Sequence, residues 1–273
     1  MKITDCDFVR KFMTMAQDGV DKSWHEMNGG NLSYHLTADE ARQVVRIAGK
    51  AAGSQWTEIG ESVPELGGSF FAVTRTGGFM RNVSRDPDRA FGIVELDSSG
   101  TRYRIRWGLE DGGRPTSEFP SHLKNHEIKF KTKGHRVIYH AHPASVIAMT
   151  AVVPLNDRAF TRAIWEVMTE CPVIFPEGIG VVKWMVPGKG AIATVTSELM
   201  AKYDAVVWAN HGLFCSGDTF DRAFGLMETI AKSAEIVMMV KASGCRRPSL
   251  IKPSQIRKIG KDFGLKNLNT KFL

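Results

Sequence analysis

Two histidines one residue apart, His140 and His142, close an apolar run, Val137-Ile138-Tyr139, whose composition predicts a buried strand. Residues two apart in a strand face the same side, so both imidazoles can meet one ion. A third histidine, His211, ends a second strand-like run from Asp204 to Asn210 and precedes Gly212, which permits a sharp turn or a close backbone approach. Neutral imidazoles suit zinc, and three of them leave one coordination position open, the layout of a catalytic site rather than a closed structural one. The other reading of His140 and His142 is a pair of core histidines satisfied by backbone groups. A third histidine at a strand end favours the metal. His25, His35, His122, His126 and His135 fall on expected helix or loop surfaces and are given no role.

Proton chemistry needs a carboxylate, and two stand out. Glu118 follows Thr116-Ser117 in what reads as the first turn of a helix, where the dipole favours its ionised form and hence a base. Ordinary dipole complementarity also explains such a residue. Glu170 ends an expected helix just before Cys171-Pro172, an unfavourable place for an anion, so it is either solvated or held there for use. Three polar turns complete the set: Asn28-Gly29-Gly30-Asn31, Thr74-Arg75-Thr76-Gly77-Gly78, and Thr116-Ser117. Exposed N–H groups, hydroxyls and a helix N-terminus together make an anion cradle, although each alone is more often a turn or a cap. Neither a dinucleotide-binding glycine motif nor a Walker loop is present, so one phosphate on a small substrate fits better than a nucleotide.

These residues must be carried by elements that the pattern also predicts. Asp5 to Met27 reads as an amphipathic helix, Leu32, Tyr34 and Leu36 alternate as a strand, Ala38 to Ala52 can hold a helix, and Phe70 to Val73 is a strand. Gly92 to Leu96 and Thr101 to Trp107 flank Asp97-Ser98-Ser99-Gly100 as a hairpin, with Arg102, Arg104 and Arg106 on its solvated face. Helices are expected from Thr116-Ser117 to Phe130, Pro143 to Val153, Asp157 to Thr169, Ile192 to Tyr203 and Asp218 to Val240. Val173 to Phe175 and Val181 to Met185 are expected as strands. Strands outnumber simple strand-helix repeats, which predicts one α/β domain over residues 1–273 with a mixed, largely antiparallel central sheet flanked by helices.

Composition excludes several alternatives. The chain is 43% hydrophobic and 24% charged, with no apolar run long enough to span a membrane. The start, Met1-Lys2-Ile3-Thr4-Asp5, carries an acid where a secretory signal is apolar, so the cytoplasm is expected. Cys6, Cys171, Cys215 and Cys245 are scattered, which suggests reduced thiols. The formal charge of +7 is concentrated in a basic tail from Lys241 onward, where nine Lys and Arg face only Asp262. The preceding 240 residues are therefore almost neutral. No aromatics alternate with the basic residues, so the tail reads as a solvated face rather than a nucleic-acid or membrane contact.

The segments NGGNL at 28 to 32, RNV at 81 to 83, GIVELDSSG at 92 to 100 and PTSE at 115 to 118 resemble the class II aldolase/adducin family. VIYHAHP at 137 to 143, the run from Phe160 through Trp184-Met185-Val186-Pro187-Gly188, and HG at 211 to 212 extend the resemblance over about residues 24 to 240. It implies a homotetramer with one zinc ion per subunit that cleaves L-rhamnulose 1-phosphate to glycerone phosphate and L-lactaldehyde, the ion stabilising an enediolate. By residue-wise match, His140, His142 and His211 bind the ion and Glu118 is the catalytic acid/base. Asn28, Gly29, Asn31, Thr76, Gly77, Thr116 and Ser117 surround the phosphate, and Glu170, reaching from a neighbouring subunit, assists at the aldehyde end. The phosphate turn departs from the family at Arg75, in place of a glycine, and at Gly78, in place of a lysine; the Arg75 guanidinium is a candidate for the missing charge. A fuculose-phosphate-type aldolase, an epimerase or a dehydratase remains open on the same scaffold. An adducin-like association module has no need of three ligands and Glu118.

Overall fold

The computed structural model describes residues 1–49, 55–186, 190–246 and 249–273. They form two compact units, Met1–Ala141 with Ser216–Asp221, and His142–Cys215 with Arg222–Leu273. The first unit contains, in order, α1 (Asp7–Asp21), β1 (Asn31–His35), α2 (Ala38–Ala48), β2 (Thr57–Glu58) and β3 (Phe70–Thr74). It continues through α3 (Pro87–Ala90), β4 (Phe91–Leu96), β5 (Arg102–Gly108), α4 (Phe119–Lys133) and β6 (Val137–Ala141). Its strands lie in the order β2-β5-β4-β3-β1-β6, and every neighbouring pair is antiparallel.

Strand β1 positions the site, because its two faces are covered by different chemistry. Leu32 and Tyr34 point to one side, where Tyr34 stacks on Phe8 of α1 with ring centroids 6.1 Å apart. Asn31, Ser33 and His35 point to the other, toward α4, and all five residues of the strand are buried. The alternation of apolar and polar residues therefore marks a polar interior, not a solvent face. Helix α4 also closes an apolar core, setting Phe119 and Leu123 against Phe71, Val73, Val94 and Leu96.

The second unit contains α5 (Ala144–Val152), α6 (Asp157–Trp165), α7 (Cys171–Ile174), β7 (Gly180–Val182), α8 (Gly190–Met200) and β8 (Ala205–Trp208). It takes in most of β9 (Gly212–Gly217) and α9 (Phe220–Ala242), followed by α10 (Pro253–Asp262). β8 pairs antiparallel with β9 and parallel with β7. Ser216 and Gly217, the end of β9, belong to the first unit, where Arg136 donates its N–H to the Gly217 carbonyl at 2.9 Å. The fold is thus mixed α/β with a largely antiparallel central sheet and flanking helices, as the sequence predicts. No described helix is long and apolar enough to cross a membrane.

Several expected elements differ. Val173 to Phe175, expected as a strand, lies across the end of the four-residue helix α7, because Pro172 fits a helix's first turn. α1 stops at Asp21 rather than Met27, and Ser23 and Met27 then take left-handed backbone angles of 57° and 48°. α6 stops at Trp165, and the expected end of α2 at Ala52 lies outside the described residues. The arginine row of β5 is not simply solvated: Arg104 and Arg106 pair with Glu95 at 2.7 and 3.4 Å, and Arg104 lies over Trp56. The described part of the basic segment from Lys241 carries a helix as well as the expected solvated face. It folds as α10, buries Ile256, and sets Phe272 against Trp165 and Tyr203, while Arg257, Lys258 and Lys261 stay exposed.

Candidate metal centre and active site

His140 is the fourth residue of β6 and is 1% exposed, opposite Asn31 of β1 in the antiparallel register. His142 follows the strand's last residue and precedes Pro143, which restricts it to an extended backbone and opens α5. His211 lies in the turn between β8 and β9, where its N–H reaches the Trp208 carbonyl at 3.1 Å. The left-handed residue of that turn is Asn210, at φ 57°, rather than Gly212; asparagine tolerates this conformation well. Asn210 is further held by its N–H to Thr150 Oγ1 at 3.1 Å. The rings of His142 and His211 meet edge to face with centroids 4.9 Å apart. One ligand atom from each of His140, His142 and His211 lies within 4.8 Å of the other two. Three imidazole nitrogens so gathered fit a divalent ion of borderline softness.

Glu118 is the N-cap residue of α4, where it makes no side-chain cap hydrogen bond, and is 9% exposed. Its Oε2 lies 3.9 Å from His140 Nε2 and accepts from Asn31 Nδ2 at 2.8 Å. The Glu118 carboxylate and His140 are therefore brought together by three elements, α4, β1 and β6. Thr116 donates its N–H to the Thr74 carbonyl at 2.8 Å, and Thr76 donates to the Arg114 carbonyl at 2.9 Å, so the end of β3 runs beside the lead-in to α4. Thr76, Thr116 and Ser117 consequently line one cavity of about 300 Å³, together with Arg114 and Tyr103.

The remaining expected site residues do not line that cavity. Gly77 lines a neighbouring cavity of about 220 Å³ with Arg75 and Arg89. Asn28 is exposed and Gly29 is half-buried, in the turn before β1, with the Gly29 N–H on the Glu26 carbonyl. Asn31 turns its amide to Glu118. Arg75 does not offer a free guanidinium: Nη1 donates to the carbonyls of Glu110 at 3.0 Å and Arg89 at 3.3 Å. The cation that shares the Thr116 and Ser117 cavity is Arg114, to which sequence reasoning gave no role. Glu170 is exposed at the start of α7, with no side-chain hydrogen bond or ion pair among the described residues.

The largest correction concerns the other histidines. His35, His122 and His126 are buried, not on surfaces. Ser33 Oγ lies 2.6 Å from His122 Nδ1 and 2.7 Å from His126 Nε2, and His122 Nε2 hydrogen-bonds Asn31 Oδ1. His25 is half-buried, its Nε2 on Tyr139 Oη at 2.7 Å and its Nδ1 on the Gly29 carbonyl at 3.0 Å. His135 lies 3.1 Å from Ser216 Oγ. A helix carrying His122 and His126 one turn apart, facing a strand of alternating Asn, Ser and His, was the available signal.

Burial pushes His122 down to about 3 and, with help from Arg136, His35 down to about 4; burial also takes His126 well below its ordinary value of 6.5. Below pH 6.5 the unfolded chain binds these protons and the folded one does not. Stability is therefore complete above that pH and falls as pH drops toward 4, by about 1.4 kcal/mol per pH unit for each such group. Urea unfolding of chelator-treated protein at pH 7.5 and 5 should show a lower midpoint at the acid value. A flat profile would contradict the buried neutral assignment.

Gly30, at φ 74°, joins the turn to β1, and an added methyl would strike the His25 ring and come within 2.7 Å of the His140 carbonyl oxygen. Gly30→Ala is expected to destabilise the fold by about 1–3 kcal/mol, and it should weaken metal binding because the obstruction is the backbone of His140. Thermal unfolding and metal titration would detect both effects.

Residues 10–238 match the class II aldolase and adducin N-terminal domain, and the chain belongs to this family. Among curated relatives, the rhamnulose-1-phosphate aldolase of Pectobacterium atrosepticum is 40% identical over 260 residues, covering 94% of both chains. That of Mannheimia succiniciproducens is 40% identical over 261 residues, with the same coverage. A solved structure, the sugar-phosphate aldolase of Thermotoga maritima, is 28% identical with a TM-score of 0.70 and covers 88% of this chain and 97% of its own.

Proposed function

We propose that this chain cleaves L-rhamnulose 1-phosphate to glycerone phosphate and L-lactaldehyde, with one zinc ion per subunit held by His140, His142 and His211. The observation that carries the reading is the Glu118 carboxylate 3.9 Å from His140, beside three gathered imidazoles, in a chain 40% identical to named rhamnulose-1-phosphate aldolases. When bound, the ion would supply Lewis acidity that stabilises the negative charge developing on the C2 oxygen as the C3–C4 bond breaks. Glu118 delivers a proton to C3 in cleavage and removes it in synthesis. Asn31 fixes that carboxylate by donating to Oε2. Thr76, Thr116 and Ser117 bind the phosphate with hydroxyl and backbone donors, and Asn28, Gly29, Asn31 and Gly77 complete its surround. Glu170 acts at the aldehyde end from a neighbouring subunit of a cytoplasmic homotetramer, which agrees with its exposed position and free carboxylate.

The reading is tested by incubating the zinc-loaded protein with L-rhamnulose 1-phosphate, L-fuculose 1-phosphate and a pentulose phosphate, and measuring glycerone phosphate release. Preferential cleavage of the rhamnulose ester is expected. Equal or better cleavage of the fuculose ester would transfer the assignment to that reaction, and release from none of them would reject aldol cleavage.

A further inference from the structure

Four side chains link Glu118 to the interior in an unbroken hydrogen-bonded series. Asn31 Nδ2 meets Glu118 Oε2, Asn31 Oδ1 meets His122 Nε2, His122 Nδ1 meets Ser33 Oγ, and Ser33 Oγ meets His126 Nε2. Asn31, Ser33, His122 and His126 are all buried, so a donor left facing a donor, or an acceptor facing an acceptor, within the series would be costly. The direction of the series follows from its first member. A carboxylate oxygen accepts, so the amide nitrogen of Asn31 faces Glu118 and its oxygen faces His122. That oxygen needs a donor, which places the single proton of a neutral imidazole on His122 Nε2. His122 Nδ1 then accepts from the Ser33 hydroxyl, and Ser33 Oγ in turn accepts from His126 Nε2–H. His126 Nδ1 is left as a bare lone pair, and it has no hydrogen-bond partner among the described residues. Burial keeps both rings neutral, as the one-proton assignment requires.

We infer that His122 is a positioning residue for the aldol step: through Asn31 it fixes the orientation of the Glu118 carboxylate, with Ser33 and His126 fixing the tautomer of His122. The inference deepens the aldolase reading and rests on Glu118 carrying the proton. Asn31 left alone could turn its amide by half a rotation and present an oxygen to the carboxylate, which would repel it. The Nε2–H of His122 selects the productive rotamer. A carboxylate displaced by about 1 Å can lose roughly 10²-fold in rate. Thr76, Thr116 and Ser117, which supply the hydroxyls for the phosphate, line a cavity that His122 does not, so kcat should fall by more than KM changes.

The test combines one spectroscopic and one kinetic measurement. In protein carrying 15N-labelled histidine, the rings of His122 and His126, assigned by single substitution, are expected to be protonated at Nε2 and bare at Nδ1. The opposite tautomer at His122 overturns the series, and this readout needs no substrate. Kinetically, His122→Phe is expected to lower kcat by roughly 10- to 100-fold at unchanged zinc content. His122→Gln, whose amide can again donate to Asn31, should recover most of that loss. In a Glu118→Gln background the His122→Phe effect should vanish, because its target is gone; an effect of full size there assigns His122 to general stability and overturns the inference. Should His122→Phe fail to fold, Ser33→Ala decides instead: a several-fold fall in kcat with a changed His122 tautomer supports the series, and no change in either overturns it. An active enzyme with the wrong tautomer sinks the positioning role alone, whereas correct tautomers in a protein that cleaves no sugar phosphate sink the aldolase reading alone.

Discussion

Replacing Glu118 by Gln should lower kcat by roughly 10² to 10⁴-fold while the protein keeps its fold and the proposed zinc ion, the scale of a lost general acid/base. The substitution preserves size at a nearly buried position, so no cavity opens. It removes the carboxylate proposed to exchange a proton with C3. It also faces the Asn31 amide with another amide, which can rotate to offer its oxygen, so the local hydrogen bond survives. Turnover and zinc content measured on the same preparation check the expectation. Near-normal turnover would remove Glu118 from the proton step, and lost zinc would make its role structural.

His211→Ala should abolish both zinc retention and cleavage, by about 10³-fold or more if the ion supplies several kcal/mol of charge stabilisation. This position is the cleanest of the three proposed ligands to remove. His140 is fully enclosed within β6, and changing it would disturb strand packing, whereas His211 is half-buried in a turn whose backbone is held by Trp208 and Thr150. Two histidines left at an open site bind zinc weakly. Metal analysis after dialysis, set beside an unchanged melting profile of the chelated wild-type and variant proteins, separates lost coordination from lost fold.

The gathering of the three histidines was legible because their residue types stand together at the ends of elements. His140 and His142 end an apolar strand, His211 sits at a strand-to-strand turn, and Glu118 directly precedes a helix. What the sequence concealed was polar structure inside the molecule. Asn31, Ser33 and His35 alternate with Leu32 and Tyr34, a pattern that ordinarily signals one wet face. Here α4 covers that face with two histidines of its own, and polar groups on one element satisfy polar groups on the other. Periodicity reports which residues share a side, not what lies opposite. The same limit explains the C-terminal segment, where a strongly basic composition outweighed the few apolar anchors, Ile251, Ile256 and Phe272, that hold it to the second unit. Val173 to Phe175 was misread because a run of three apolar residues suits a strand and a short helix equally well, and Pro172 decided between them.

Metal dependence is tested most directly by measuring L-rhamnulose 1-phosphate cleavage in the protein as purified, after exhaustive chelation, and during stepwise return of zinc. Cleavage should disappear with the metal and return in proportion to added zinc until one ion is bound per chain. Undiminished turnover in protein shown to be free of metal would contradict the central role given to His140, His142 and His211.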